Sequence, residues 1–306
     1  MLTIFVILSI HKHISTMKIA VLTLLIALPL WGFTQDTQNQ NYKLYSVVKQ
    51  KLVSADDVVA NMANADVLFF GESHTDSIGH LLEELLWQKL SAKYPHKAAL
   101  SMEMFETDSQ PVLDEYLQGY IREKDMIKDA RAWPNYKDYR PMLEFAKTEK
   151  LPVIAANAPS RYVHMVTDKG LLALQLLDKN ALQHLAPLPI DTATGAYYEK
   201  FTAIMGGHTA MPGMNIYQSQ NLWDATMGWS IAKFYKKNRD SKIFQINGSF
   251  HSEEKLGTVT QLKKYAPKMR VLNIANIDEE ENFDNPNWNK YQKLGDYLLI
   301  TQSLKQ

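Results

Sequence analysis

Residues 67 to 74 read Val-Leu-Phe-Phe-Gly-Glu-Ser-His, an apolar run followed by a glycine and three polar residues. The run from Asp66 to Phe70 predicts a strand buried on both faces, because such strands of parallel sheets are continuously apolar. From Ile78 to Leu90, isoleucine and leucine recur at steps of three and four residues, which predicts a helix with Asp76 or Ser77 as its N-cap. The segment therefore predicts one strand–helix unit.

The same alternation recurs along the chain. Further strands are predicted at 97–102, 151–156, 242–247 and 270–274, with a short last strand at 297–301. Helices are predicted to begin at Pro141 and to cover 259–265, and the lead-in at 42–64 is predicted to hold only a short helix. Strands that alternate with helices favour an α/β fold, in which a mostly parallel sheet carries helices on both faces.

Residues 160 to 237 contain no convincing strand. Two helical stretches in this range flank a loop rich in glycine, proline and methionine, Met205 to Met214, which also holds His208 and is expected to act as a flexible lid. We expect residues 35–306 to form one α/β domain, with a smaller helical subdomain, or cap, inserted at about 160–237.

The amino-terminal region has the layout of a secretory signal. Met17 and Lys18 precede an apolar run from Ile19 to Trp31, and polar residues follow. This run is shorter than the roughly 20 residues that cross a bilayer, although an upstream apolar stretch leaves a membrane anchor as the alternative. We expect residues 1–34 to be an extension and signal peptide, and the mature protein to be periplasmic or secreted without a stable membrane anchor.

Composition excludes several kinds of chemistry. The chain has no cysteine, which rules out thiolate metal sites, cysteine nucleophiles, covalent haem attachment and lipidation at cysteine. The formal net charge is +0 and the basic residues are scattered, so nothing in the charge pattern favours nucleic acid as a partner.

Polar residues follow the predicted strands at the edge where open parallel sheets bind ligands. They are His74 after the first strand, Glu103 after the second, Asn157 after the third and His251 after the fourth. Each histidine comes three residues after a glycine, Gly71 or Gly248, and we expect these glycines to permit tight turns that direct the imidazoles back over the sheet.

Two imidazoles and one carboxylate form a common ligand set for a catalytic divalent metal such as Mn, Co or Zn. We therefore predict that His74, Glu103 and His251 form one site, with Glu72 as a base beside it. The alternatives are that each histidine merely caps a helix or bonds a turn, and that Glu72 is a charge at a helix N-terminus.

A second group lies on the helix predicted from Asn215 to Phe234. Tyr217, Gln220 and Asp224 are spaced by three and four residues and share one face. They form either a buried hydrogen-bond line that ties the cap to the sheet or, if the face borders a cavity, a site in which Tyr217 is a phenolate ligand of ferric iron.

These motifs together resemble the ChaN-like haem-binding uptake proteins, a branch of the superfamily that includes the Tiki metalloproteases and the erythromycin esterases. The matching segments occur in order along nearly the whole predicted mature chain. They are Val67–His74, Met102–Phe105, Tyr139–Pro141, Ala156–Pro159, Gln220–Met227 and Gly248–His251.

The resemblance implies a haem-binding protein linked to haem or iron uptake. It implies haem between the α/β core and the helical cap, as a cofacial pair at a dimer interface, with Tyr217 as an iron ligand and His74 as a further haem-binding residue. ChaN is a lipoprotein, whereas this chain has no cysteine to acylate.

The Tiki and esterase branches imply a different activity. By that resemblance the chain is a metal-dependent peptidase or esterase that uses His74, Glu103 and His251, with Glu72 as the base. Gly71, Gly248, Asn157, Gln220 and Asp224 support the site in either case. A third alternative is a module that binds another small molecule and uses neither haem nor metal.

Overall fold

Eight strands form one sheet in the computed structural model, which describes residues 41–205, 214–277 and 282–302. The strand order across the sheet is β2-β1-β8-β7-β3-β6-β4-β5. The strands are β1 (Tyr42–Ser46), β2 (Lys51–Leu52), β3 (Val67–Glu72), β4 (Ala98–Glu106), β5 (Val153–Asn157), β6 (Lys242–Gly248), β7 (Val271–Asn276) and β8 (Tyr297–Thr301).

The predicted mostly parallel sheet is confirmed. All pairings from β8 through to β5 are parallel, and β1 is antiparallel to both β2 and β8. The short helix predicted within residues 42–64 is present at Ala55–Asn61, but two strands that were not predicted, β1 and β2, also lie there. β1 owes its place to pairing with β8, a partner more than two hundred residues away that no local pattern reveals.

Helices cover both faces of the sheet, as predicted. Val67 and Phe69 of β3 pack with Ile231 and Leu262, whereas Leu68 and Phe70 pack in the cluster on the opposite face. The helices are α1 (Ala55–Asn61), α2 (Ser77–Lys93), α3 (Gln110–Leu117), α4 (Glu123–Asp129), α5 (Tyr136–Thr148), α6 (Ser160–Lys169), α7 (Lys179–Leu182), α8 (Ala196–Ile204), α9 (Ile216–Lys237), α10 (Gly257–Tyr265) and α11 (Trp288–Tyr291).

Several element boundaries differ from the sequence pattern. Asp76 caps α2 as predicted, and its side chain accepts the Ile78 N–H at 3.1 Å. Helix α5 begins at Tyr136 instead of Pro141. Pro141 lies in the second turn of this helix, so the helix lacks the hydrogen bond that an N–H at this position would donate to the Lys137 carbonyl. Strand β4 continues to Glu106, so Glu103 lies inside the strand instead of after it.

The described residues between 160 and 237 contain only helices, α6 to α9 with short 3₁₀ turns. Residues 206–213 of the lid predicted at Met205 to Met214, which include His208, and the predicted signal peptide at 1–34 lie outside the described residues. Within the described ranges, no helix is long and apolar enough to cross a membrane.

The central pairing of the sheet positions the candidate site. Strand β6 lies between β3 and β4, and Glu72 of β3 is opposite Gly248 of β6. On the other side of β6 the ladder to β4 ends at the pair Met102 and Ile246, one residue before Glu103. The predicted site residues therefore meet at the carboxyl edge of three adjacent strands.

The free edge of β5 is protected by a side chain. Gln110 of α3 accepts the Ala155 N–H at 2.7 Å and donates to the Val153 carbonyl at 2.8 Å, as a neighbouring strand would. The backbone N–H and carbonyl groups on this edge therefore have hydrogen-bond partners, and a strand of another chain cannot pair with them.

We predict that Gln110→Ala lowers the free energy of unfolding by about 1 to 3 kcal/mol, because it leaves two strand groups without their partner. Urea denaturation followed by circular dichroism measures the change. Gln118→Ala, at the exposed end of the same helix, is the matched control and should change stability by less than about 0.5 kcal/mol. Equal effects of the two substitutions would contradict the role given to Gln110.

Candidate functional site

His74, Glu103 and His251 come together at the carboxyl edge of β3, β4 and β6. His251 Nε2 lies 3.5 Å from Glu103 Oε1, and Glu103 Oε2 accepts the Gly248 N–H at 2.8 Å. A Cβ atom added to Gly248 would lie 2.9 Å from His74 Nε2 and 3.8 Å from Glu103 Oε2. The two imidazoles and the carboxylate thus border one small volume next to Gly248.

Gly71 and Gly248 were expected to permit tight turns, but the structure gives them a different role. At both positions neighbouring atoms lie so close that there is no room for a side chain. Neither glycine has the positive φ angle that other residues avoid. A Cβ at Gly71 would instead meet Ser252 Oγ at 2.9 Å and Ser249 Cα at 3.0 Å. At Gly248 a side chain would push His74 out of the site, so glycine here leaves room for an imidazole.

A carboxylate holds the Nδ1 atom of each histidine. His74 Nδ1 lies 2.8 Å from Glu72 Oε1, and His251 Nδ1 lies 2.7 Å from Asp224 Oδ1. Such contacts fix the orientation of the ring and leave Nε2 for chemistry. Both Nε2 atoms consequently lie on the side of Glu103.

Glu72 is buried and surrounded by donors. Tyr139 donates its hydroxyl proton to Glu72 Oε1 at 2.7 Å, and the carboxylate is only 2% exposed. Burial favours the neutral acid, but the neighbouring groups outweigh it and lower the pKa of Glu72 to about 2; they are His74, His80, Glu83 and Tyr139. Glu72 is therefore a buried anion whose geometry suits the positioning of His74.

Aromatic residues before and within α5 border His74. Trp133 makes an edge contact with the His74 ring at 5.1 Å between centroids, and Asn135 donates to the His74 carbonyl at 3.0 Å. The sequence pattern indicated only that Trp133, Tyr136 and Tyr139 pack the start of this helix. Trp133 and Tyr139 also define one wall of the site.

The opposite wall comes from α8, α9 and α10. Asp224 accepts hydrogen bonds from Thr258 Oγ1 at 2.8 Å and from the Tyr197 hydroxyl. Gln220 Nε2 lies 3.1 Å from His251 Nδ1 and donates to the Tyr197 hydroxyl at 3.1 Å. Gln220 and Asp224, chosen from their helical spacing, thus contact the predicted site residue His251.

Electrostatics favour the protonated form of His251. Burial lowers its pKa, but the carboxylates of Glu103 and Asp224 outweigh burial and raise the pKa of His251 to about 9. The pKa of His74 is raised as well, chiefly by its bond to Glu72. At neutral pH the imidazolium of His251 therefore balances part of the negative charge of the carboxylates, and a divalent cation would take over this role by displacing its proton.

Tyr217 and Asn157 lie apart from this centre. The Tyr217 hydroxyl donates to the Ala193 carbonyl at 2.7 Å, and its ring packs with Tyr197, Tyr198 and Phe201. Burial raises the pKa of Tyr217. Asn157 Oδ1 accepts the N–H of the next residue, Ala158, at 2.9 Å. The structure therefore groups Gln220 and Asp224 with His251, and Tyr217 with an aromatic cluster.

Sequence reasoning missed two polar residues behind Glu72. His80 and Glu83 of α2 are 7% and 0% exposed and face the sheet together with Trp87. Their spacing of three residues on the apolar face of the predicted helix was the signal that could have found them. Burial and the charge of Glu72 raise the pKa of Glu83 well above its usual value.

Comparison with known proteins identifies a family over most of this region. A family model described as haem-binding uptake, Tiki superfamily, ChaN matches residues 58–262, which include His74, Glu103, Tyr217 and His251. No curated protein matches the sequence.

Solved structures resemble this chain at low sequence identity, and the first of them shares its fold. ChaN of Campylobacter jejuni, solved with cofacially bound heme, is 17% identical with a TM-score of 0.64 and covers 87% of this chain and 98% of that chain. A type III effector is 11% identical, with a TM-score of 0.47 over 82% of this chain and 94% of that one. A mutant of the erythromycin esterase EreC is 13% identical, with a TM-score of 0.44 over 86% and 84%.

We predict that His251 titrates near pH 9 and that Asp224→Asn lowers this midpoint by about 1 to 3 units, because it removes an adjacent charge. Since the pKa is raised on folding, His251 stabilises the protein below about pH 6.5, and this contribution is lost as the pH rises through about 9. Histidine NMR titration measures the midpoints, and urea denaturation across this range measures the stability. An unchanged His251 midpoint in Asp224→Asn would contradict the electrostatic assignment.

Proposed function

Because the chain belongs to the ChaN family of haem-binding uptake proteins in the Tiki superfamily, we propose that it binds haem at the aromatic cluster around Tyr217. The cluster lies where α8 and the start of α9 meet the turn after β6. We further propose that the protein is exported, that haem lies between the α/β core and the helical cap, and that it serves in haem or iron uptake.

The chemistry of this cluster fits haem, a large planar and mostly apolar molecule that binds to apolar and aromatic surfaces. Tyr197, Phe201 and Tyr217 are buried against one another, and Phe250 and Leu256 pack on them. Tyr198 contacts the Tyr217 ring at 5.0 Å and is 41% exposed. Ile204 and Met214, at the ends of the two helices, are 67% and 38% exposed. This combination of phenol groups and exposed apolar side chains is the observation that carries the proposal.

Tyr217 is the residue that we assign to iron. Its oxygen donates to Ala193, so coordination requires that this hydrogen bond be released and that the phenol lose its proton, which an adjacent ferric ion favours. Tyr198 is the more exposed phenol in the same cluster and is the alternative ligand. The assignment of His74 as a haem-binding residue stays a prediction. Its side chain is 42% exposed, but it lies with Glu72 and Glu103 and not in the aromatic cluster around Tyr217.

Bound haem would supply an iron centre with axial positions for protein ligands. Tyr198, Ile204 and Met214 expose apolar surface in the described part of the chain. We propose that a second copy of the protein covers it, so that haem binding and homodimer formation occur together.

We predict that hemin added to the mature protein gives a defined Soret band, and that Tyr217→Phe weakens the affinity by about tenfold or more through loss of the iron ligand. Absorbance titration measures the affinity, and size-exclusion chromatography reports the oligomer with and without hemin.

Tyr235→Phe, near the other end of α9, is the matched control and should bind hemin as the wild type does. An unchanged hemin spectrum in the wild type would remove the proposal. Loss of binding in Tyr198→Phe but not in Tyr217→Phe would overturn the assignment of Tyr217 alone.

A second candidate function is metal-dependent hydrolysis of a peptide or ester at His74, Glu103 and His251. The convergence of both Nε2 atoms on Glu103 favours it, as does the carboxylate on each Nδ1, an arrangement that is common around metal-bound histidines. A divalent ion such as Mn, Co or Zn would supply a Lewis acid and an activated water there. Glu72 points its Oε1 atom at His74 and Tyr139, so its role in this candidate is to position His74.

For this candidate we predict that His74→Ala and His251→Ala each lose the Mn, Co or Zn bound at this centre, because each removes a ligand, so that their metal content falls below that of the wild type and hydrolysis falls by at least about 100-fold. Elemental analysis of protein purified without chelator measures the metal, and panels of esters and peptides measure activity. His164→Ala, on the surface of α6, is the control and should retain both. Metal-supplied wild type that hydrolyses nothing would count against the candidate.

A further inference from the structure

Behind the site lies a second group of polar residues, formed by Glu72, His80 and Glu83. All three residues are buried, with 2%, 7% and 0% exposure. Glu72 comes from β3, whereas His80 and Glu83 lie one turn apart on α2. The group is separate from the contacts of Glu103 and His251, and it touches the first site through Glu72 and through Tyr139, whose ring centroid lies 5.0 Å from that of His80.

Four atoms of this group have no hydrogen-bond partner among the described residues: Glu72 Oε2, His80 Nε2, Glu83 Oε1 and Glu83 Oε2. His80 Nε2 and Glu72 Oε2 are 3.2 Å apart, and ligand atoms of the three residues lie within 4.8 Å of one another. Buried polar groups are nearly always satisfied, so four unsatisfied atoms in contact indicate a missing partner between them.

A proton is one possible partner, but it satisfies only part of the group. A proton shared by the two carboxylates pairs one oxygen of Glu83 with Glu72, and His80 Nε2 lies 3.2 Å from Glu72 Oε2, but the other oxygen of Glu83 is left without a partner among the described residues. A divalent cation at the centre would contact a ligand atom of each of the three residues and would neutralise two buried carboxylates, which are costly to bury as ions.

We propose that Glu72, His80 and Glu83 form a buried structural site for a divalent transition metal, with zinc as the ion that best fits one imidazole nitrogen and three carboxylate oxygens. Four ligand atoms match the usual coordination number of structural zinc, and a histidine and a glutamate three residues apart on one helix recur in metal sites. The site goes beyond haem binding and beyond the candidate hydrolytic centre, because it uses residues of α2 that neither requires.

The proposed metal would also anchor the first site. Glu72 holds His74 with Oε1 and would bind the cation with Oε2, so the ion would fix the carboxylate that orients the imidazole. The role of the metal is therefore structural, and its test rests on metal content and stability instead of activity.

The test is made in the His251→Ala background, which removes the other candidate metal centre. Protein stripped with chelator is dialysed against Zn²⁺, and bound metal is measured by elemental analysis. We expect one equivalent of zinc in His251→Ala and none in His251→Ala with Glu83→Gln. Zn²⁺ at about a hundredfold excess over Kd should raise the thermal unfolding midpoint of the first protein by about 5 °C or more and that of the second not at all.

Near-UV circular dichroism verifies that each variant is folded. If a variant carrying His251→Ala fails to fold, the zinc content and unfolding midpoint of the wild type are compared with those of Glu83→Gln or His80→Gln instead. No bound zinc in the wild type, or an equal zinc content with and without Glu83→Gln, would overturn the proposal. Hemin binding is measured separately on the same preparations, so failure of the metal site and failure of haem binding give different results.

Discussion

The parallel pairing of β6 with β3 on one side and β4 on the other is the constraint on which the rest of the structure depends. These strands bring Glu72, Glu103 and Gly248 to one edge, although the residues are separated by up to about 180 positions in sequence. Their backbone register fixes where each chain leaves the sheet. His74 and His251 follow within three residues of their glycines, so their side chains have little freedom to lie elsewhere.

The network around this edge is arranged by charge as well as by register. Glu72 and Asp224 approach the two imidazoles from opposite sides, and Glu103 lies between the two rings. The carboxylates of Glu72 and Asp224 each accept a hydrogen bond from a tyrosine hydroxyl. Tyr139 donates to Glu72, and Tyr197 donates to Asp224. The two halves are thus built from different helices but repeat the same order of tyrosine, carboxylate and imidazole. Pre-oriented groups of this kind favour catalysis or metal binding, because little reorganisation is needed.

Much of the fold and part of the site could be predicted from local sequence. The alternation of apolar strands with helices gave the parallel core, and the repeated spacing of glycine and histidine identified His74 and His251. Strands β1 and β2 were missed because their pairing is not local, and Glu103 was placed after a strand that in fact continues to Glu106. His80 and Glu83 were missed because an apolar helix pattern conceals two polar residues whose partner, Glu72, lies on another element. Contacts between residues distant in sequence determine these features, and a local sequence pattern does not contain them.

Tyr197 connects the two parts of the molecule that carry the proposed functions. Its hydroxyl bonds Asp224, which orients His251, while its ring contacts Tyr217 at 6.1 Å and Phe250 at 5.2 Å. A displacement of α8 therefore changes the support of His251 and the packing of Tyr217 together. Coupling between two binding sites is reciprocal. A ligand at Tyr217 that favours one position of α8 would therefore change binding at His251, and a ligand at His251 would change binding at Tyr217 by the same factor. The aromatic cluster and the histidine centre are therefore in contact through Tyr197 and also through Phe250, which directly precedes His251 in the chain.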